Sequence, residues 1–303
     1  MLFAKPALNT LQCNLGFMAD EGSQKGISNI QVQGEKLLTL DDVLGWDKVR
    51  KLAGDHKVKA FGMISSFLFK PKEEEISIVY EEKRYQAFWH IVGNSFFEYK
   101  RKVRYHVPVQ TVVEDVTFMD KNCVVNKNNG TFEIEGIEHC KENYRQEIMV
   151  DAQTDQAGDF SKYLVSPKHE IQTTDDLTKD GTSVVNLETK ASFLVRKVLN
   201  DLVKPIKADQ ILDEKIAIEE LSLYFYPVYT FEYFWQPKEK RVLVEFDGVT
   251  TEIRKGRKLT DKLRDSFTTD ELFEFAKEVA NFVPGGGLAM MAGRKAIQIA
   301  SKK

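Results

Sequence analysis

The sequence predicts an α+β fold: two antiparallel β-meanders with helices segregated to the middle and the ends. Three observations predict it. Aromatic and β-branched residues crowd two stretches, residues 76–150 and 216–254. Between them Ala191, Leu194, Val195, Val198, Leu199 and Leu202 recur at the spacing of one buried helical stripe. Asn129-Gly130 and Asp247-Gly248 mark tight hairpin turns, because these pairs tolerate positive φ.

Composition supports a packed chain. Of 303 residues, 42% are hydrophobic and 29% charged, which excludes a disordered or collagen-like chain. A chain of this length buries about 75% of the surface its unfolded form exposes, so it needs no disulfide or metal to fold. Lys and Arg number 43 against 46 Asp and Glu, which excludes a whole-surface attraction to nucleic acid or anionic lipid. Three cysteines, Cys13, Cys123 and Cys140, do not form a disulfide framework and read as reduced thiols of a cytoplasmic protein. Lys5-Pro6 interrupts what would be a signal peptide's apolar region. The charge-free stretch Val279–Gly293 contains Pro284 and falls short of the about 18–20 apolar residues a membrane helix needs.

In chain order, residues 1–72 read as an N-terminal α/β segment. Thr39-Leu40-Asp41-Asp42 offers a helix start, and Leu40, Val43, Leu44, Val49, Leu52 and Ala53 a partial helical period that ends at Gly54-Asp55. Residues 73–150 form the first meander: Ile76–Tyr80, Phe88–Val92, Phe96–Val109, Val112–Met119, the hairpin about Lys127–Gly130, and Gln146–Val150. Residues 151–186, rich in Asp, Thr, Lys and Gln, read as a loop-rich, mobile connection. Residues 187–303 hold the striped helix stopped by Pro205 and a second meander. In that meander Tyr229, Phe231, Tyr233 and Trp235 share one face of a strand. A helix opened by the capping box Thr268–Glu271 and a last helix over Leu288–Ala300 follow. Glu81–Trp89 and Glu219–Tyr229 share a texture, and an internal duplication would let each copy supply half of a layered core.

The run Tyr226-Pro227-Val228-Tyr229-Thr230-Phe231-Glu232-Tyr233, the turn Asp247-Gly248 and Val283-Pro284-Gly285-Gly286-Gly287 resemble the C-terminal half of uncharacterised prokaryotic proteins. The resemblance covers roughly residues 200–300. It implies that strands and tail form one domain, and it implies no activity.

Chemistry-bearing motifs are few. Gly285–Gly287 precedes a helix but lacks the spacing of a phosphate loop. Gly285, Ala289 and Gly293 repeat every four residues, as do Ala292, Ala296 and Ala300, which lets another backbone approach closely. Either the sheet or a partner could use that face. Ala289, Met290, Gly293, Arg294 and Ile297 are the candidate partner contacts. Lys100, Lys102, Arg104 and His106 share a strand face and form a candidate anion site, although a half-solvated strand shows the same alternation. His139, Cys140, Cys123 and His169 lack zinc-site spacing, so no metal or other cofactor is expected and no residue is assigned a catalytic role.

The expected function is therefore non-catalytic: a binding or assembly protein that meets a protein partner, or itself, through an aromatic β surface and the C-terminal helix. Two alternatives stand beside it. One is an enzyme with a cleft between the β units, and the other an accessory protein that holds nucleic acid on the basic strand.

Overall fold

A computed structural model describes residues 31–62, 71–203, 205–256, 267–271 and 273. Among these, 53% lie in strands and 21% in helices, and nine strands form one mixed sheet. The elements are β1 (Gln31–Val32), β2 (Glu35–Leu40), α1 (Gly45–Ala60), β3 (Ile76–Pro108), β4 (Asp115–Phe118), β5 (Lys121–Val124), β6 (Thr131–Asp151), α2 (Ser161–Leu164), β7 (Lys168–Ile171), β8 (Ser183–Val184), α3 (Ala191–Leu202), β9 (Gln210–Trp235), β10 (Lys240–Asp247) and β11 (Ile253–Lys255).

This corrects the α+β expectation. The protein is mostly β, and the two meanders are one sheet. The reason lies in β3 and β9, which pair antiparallel from Ile76–Trp235 to Lys100–Gln210. The stretches that share a texture, 81–89 and 219–229, pair with each other over Lys83–Trp89 and Leu223–Tyr229. Gln86–Trp89 and Leu223–Tyr229 are buried on both faces, and strands in that situation converge on the same aromatic and β-branched composition. Parallel pairs complete the mixed character: β1 and β2 run beside β9, and β8 beside β3.

The predicted breaks in the first meander also disappear, since β3 is 33 residues long. Its charged stretch, Glu81–Arg84, stays in the strand because Arg84 finds a buried carboxylate in Glu245. Gly93 stays in it because α3 crosses there. A Cβ at Gly93 would lie 2.7 Å from Leu202 Cδ1 and 2.9 Å from Val198 Cγ1.

One face of the sheet carries both longer helices. Against α3, Leu194, Val195, Val198 and Leu199 are fully buried with Trp89, Ile91, Phe97, Leu221, Leu223 and Phe225. The stripe predicted from sequence is the buried stripe of this helix. Ser95 Oγ donates to Leu202 O at 3.1 Å and satisfies a carbonyl at the helix end. Against α1, Val49 and Ala53 pack on Tyr229, Phe231, Tyr233 and Trp235. That aromatic face is core rather than a contact surface.

The first helix starts at Gly45, five residues beyond Leu40, which belongs to β2, and it passes through Gly54 to Ala60. Asp42 supplies the cap: its Oδ1 accepts from the backbone N–H groups of Leu44 at 3.2 Å and Gly45 at 3.1 Å. Its Oδ2 accepts from Tyr229 Oη at 2.5 Å and pairs with Lys83 at 2.8 Å, tying the helix start to β3 and β9. Residues 151–186 hold more structure than one short element, namely α2, β7 on β2, a single 3-10 turn (Thr174–Leu177) and β8 on β3. The turn at Asn129-Gly130 forms, with Gly130 at φ 64° and an Asn126–Thr131 bridge, but the expected hairpin around it does not: β5 pairs with β4 and β6 with β3. Among the described residues no helix is long and apolar enough to cross a membrane. Cys140 is a free thiol and Cys123 is disulfide-bonded, against the expectation of three reduced thiols.

Candidate functional site

Past Lys100, where β9 ends its pairing, β3 continues to Pro108 with β6 as its only strand partner among the described residues. Eight residues at about 3.3 Å each carry this two-stranded arm roughly 26 Å beyond the sheet. At its end β4 and β5 form a separate two-stranded sheet. The tip has its own small core: Cys123, Val125 and Phe132, with Val107, Val109, Val113, Val116 and Ile134 against them.

That core does not account for all the apolar residues there. Val112 is 80% exposed and Met119 71%, with Phe118 and Val124 also exposed. Met119 and Asp120 form the β4–β5 turn at φ 48° and 58°, the left-handed region that favours Gly and Asn. An exposed Met held there costs about 1 kcal/mol. Folding gains nothing evident from it.

The candidate anion residues lie on β3 at the start of the arm and along it, and two of the four face carboxylates on β6. Arg104 Nε is 3.2 Å from Glu135 Oε1, and His106 Nδ1 is 3.5 Å from Glu133 Oε1. Lys102 donates its backbone N–H to Asp209 Oδ2 at 2.5 Å, and Lys100 O accepts from the Asp209 backbone N–H at 2.8 Å. On the opposite face Arg101 pairs with Glu138 at 2.5 Å. The sequence places these cations on one strand correctly, but their acidic partners are more than 25 positions away, outside any local window. Ala289, Met290, Gly293, Arg294 and Ile297 lie outside the described residues.

Titratable groups missed from sequence gather on the sheet face opposite α1 and α3. Arg84 on β3 and Glu245 on β10 form an ion pair with each side chain only 3% exposed. Arg254 on β11 reaches Glu245 Oε2 at 2.8 Å and donates to Gln86 Oε1 at 2.6 Å. Tyr226 donates to the same Gln86 oxygen at 2.9 Å, and Tyr163 on α2 donates to Asp247 Oδ2 at 2.5 Å. Burial pushes the Tyr226 phenol up to about 12. Burial pulls the Arg254 guanidinium down, but Tyr226 and Glu245 outweigh it and hold the group above its ordinary value. Two guanidinium groups thus face two carboxylates, which accounts for the charge within the network.

Beside it, across the stacked rings of Phe88 and Tyr224, lies His90. Its Nε2 is 2.8 Å from Glu147 Oε1 on β6 and its Nδ1 3.1 Å from Glu220 Oε1 on β9. Burial opposes protonation of this ring. The two carboxylates outweigh burial and raise its pKa above the ordinary imidazole value. Glu220 also accepts from Ser222 at 3.0 Å and Tyr224 at 3.3 Å, and Glu147 pairs with Arg145 at 3.2 Å. A ring seated between two carboxylates is well suited to crosslinking three strands and, with its protonated form favoured, poorly suited to acting as a base. Among the described residues no cluster of His, Cys, Asp and Glu could hold a metal ion.

No family model matches the chain, and neither a curated protein nor a solved structure does.

Proposed function

We propose that the protein is a non-catalytic binding or assembly component whose contact device is the β3–β6 arm, with the tip sheet packing against a partner protein. The observation that carries this reading is the exposed set Val112, Phe118, Met119 and Val124 at the far end of the arm. These side chains sit outside a tip core that is already formed. Apolar groups concentrated at the end of a projecting element mark an interaction site more often than scattered ones do. The aromatic strand faces, the other contact surface expected from sequence, are consumed by the core. The buried ionic groups engage one another, which supports a role in holding strands together.

Site-specific photo-crosslinking tests the reading. A photoreactive residue at Met119 is expected to give one discrete protein adduct in cells of the source organism. The same probe at Val165, 86% exposed and away from the arm, is expected to give none. Equal labelling from both positions would contradict it.

A further inference from the structure

The structure assigns the outer edge of β6 to pairing with β6 of a second copy, antiparallel about a two-fold axis through Ile137. Backbone directions in β3 show which groups this edge offers. Lys102 sends its N–H, and Lys100 its carbonyl, to Asp209 on the β9 side, whereas Val109 N–H goes to Gly130 O on the β6 side. Even-numbered residues of this part of β3 therefore turn their backbone groups away from β6. Their partners on β6, His139 opposite Lys100, Ile137 opposite Lys102, Glu135 opposite Arg104 and Glu133 opposite His106, turn theirs outward. At both ends of the strand this outward set is already in use. Thr131 O accepts from Asn126, Met149 O accepts from Gly158, and Asp151 N–H donates to Gln156 O. Among the described residues no strand pairs with the outer side from Glu133 to Glu147.

An unpaired edge of that length invites pairing. What selects a second copy is the charge pattern. With Ile137 opposite Ile137 of the partner subunit, Glu133 meets the partner's Lys141 and Glu135 meets the partner's His139, and symmetry repeats both pairs. Within each chain Glu133 already faces His106, and Lys141 lies 3.2 Å from Glu98. A row across the junction then reads Glu133, the partner's Lys141 and the partner's Glu98, with sign alternating throughout. Moving the axis to Lys141 instead sets Glu135 against the partner's Glu147, a like-charge pair that disfavours that register. Five directly opposed pairs exchange about ten backbone hydrogen bonds, two for each hydrogen-bonded pair. The contact is isologous, so it closes at two copies. It is independent of what the arm tip holds.

Sedimentation of the purified 303-residue chain tests the pairing, with the Met119 adduct as a separate readout of the tip. Wild type is expected to reach twice 34.8 kDa as concentration rises. Ile137→Pro removes an outward N–H that the β3 ladder does not use, and is expected to give a folded monomer that still forms the Met119 adduct. Lys141→Glu places like charges opposite each other twice by symmetry and is expected to weaken the dimer about tenfold or more. Adding Glu133→Lys to it restores the opposite signs and is expected to restore the dimer. A wild-type chain that stays monomeric, mass that grows without closing at two copies, or a charge swap that fails to rescue would each overturn the pairing. Loss of the Met119 adduct with the dimer intact would instead overturn the tip reading alone.

Discussion

Arg84 and Glu245 are 161 positions apart and form a salt bridge across β9, each side chain 3% exposed. Removing one partner of such a pair strands the other in a medium that solvates charge poorly. Glu245→Ala is expected to cost about 3–5 kcal/mol, read as a lower denaturant midpoint at unchanged slope. Arg50→Ala, which breaks a solvent-exposed pair with Glu81, is expected to leave the midpoint where it is.

Stability is expected to fall as pH rises through neutrality, for two reasons of the same sign. His90, held by Glu147 and Glu220 and near Tyr224, has a raised pKa in the fold. Its contribution is complete below the unfolded value near 6.5 and is lost as pH rises through the folded one. Glu214 is pushed up to about 7 by burial, so the fold favours its protonated form and loses that preference as pH climbs from about 4.5 to about 7. His90→Gln and Glu214→Gln should each flatten part of the pH profile in thermal melts. Together they should remove most of the decline that begins above about pH 4.5 and continues through neutrality. A slope that survives both substitutions would refute the assignment.

Side chains of α3 lie directly over Gly93, and that contact requires the missing side chain. Gly93→Ala is expected to destabilise by about 1–3 kcal/mol through overpacking against Leu202 and Val198. Leu202→Ala in the same chain opens space at that point, so the double variant should lose less than the sum of the single losses. Denaturant titration of all three variants checks this.

The Met119-Asp120 turn sets stability against contact. Replacing the pair by Asn-Gly suits the left-handed backbone and is expected to stabilise the chain by about 1 kcal/mol, seen as a higher melting temperature. The same replacement removes the exposed thioether and should weaken partner capture. A variant that gains stability and keeps its partner would show that Met119 has no role in contact.

Local patterns in the sequence located α3, the Asn129-Gly130 turn, the two strand-rich stretches and the aromatic face of β9. In each, the deciding physics acts within a dozen residues. The pairing of β3 with β9 was not legible, since Trp89 and Leu223 meet across 134 positions of sequence. The parallel addition of β2 and the role of Asp42 as cap to α1 depend on that same distant framework. The arm's basic residues are legible on one strand, but the carboxylates facing Arg101, Arg104 and His106 are visible only once β6 has a register. The His90 cluster had no signal at all, because its members come from three strands and none stands in a motif.

The central claim is that the arm makes contacts while the sheet provides the scaffold. Photo-crosslinking from Met119 in the wild-type chain and in Phe118→Asp tests it most directly. The account predicts a single protein adduct from the wild type and its loss in the variant, with the thermal melt of the sheet unchanged. An adduct that persists undiminished in Phe118→Asp would contradict it.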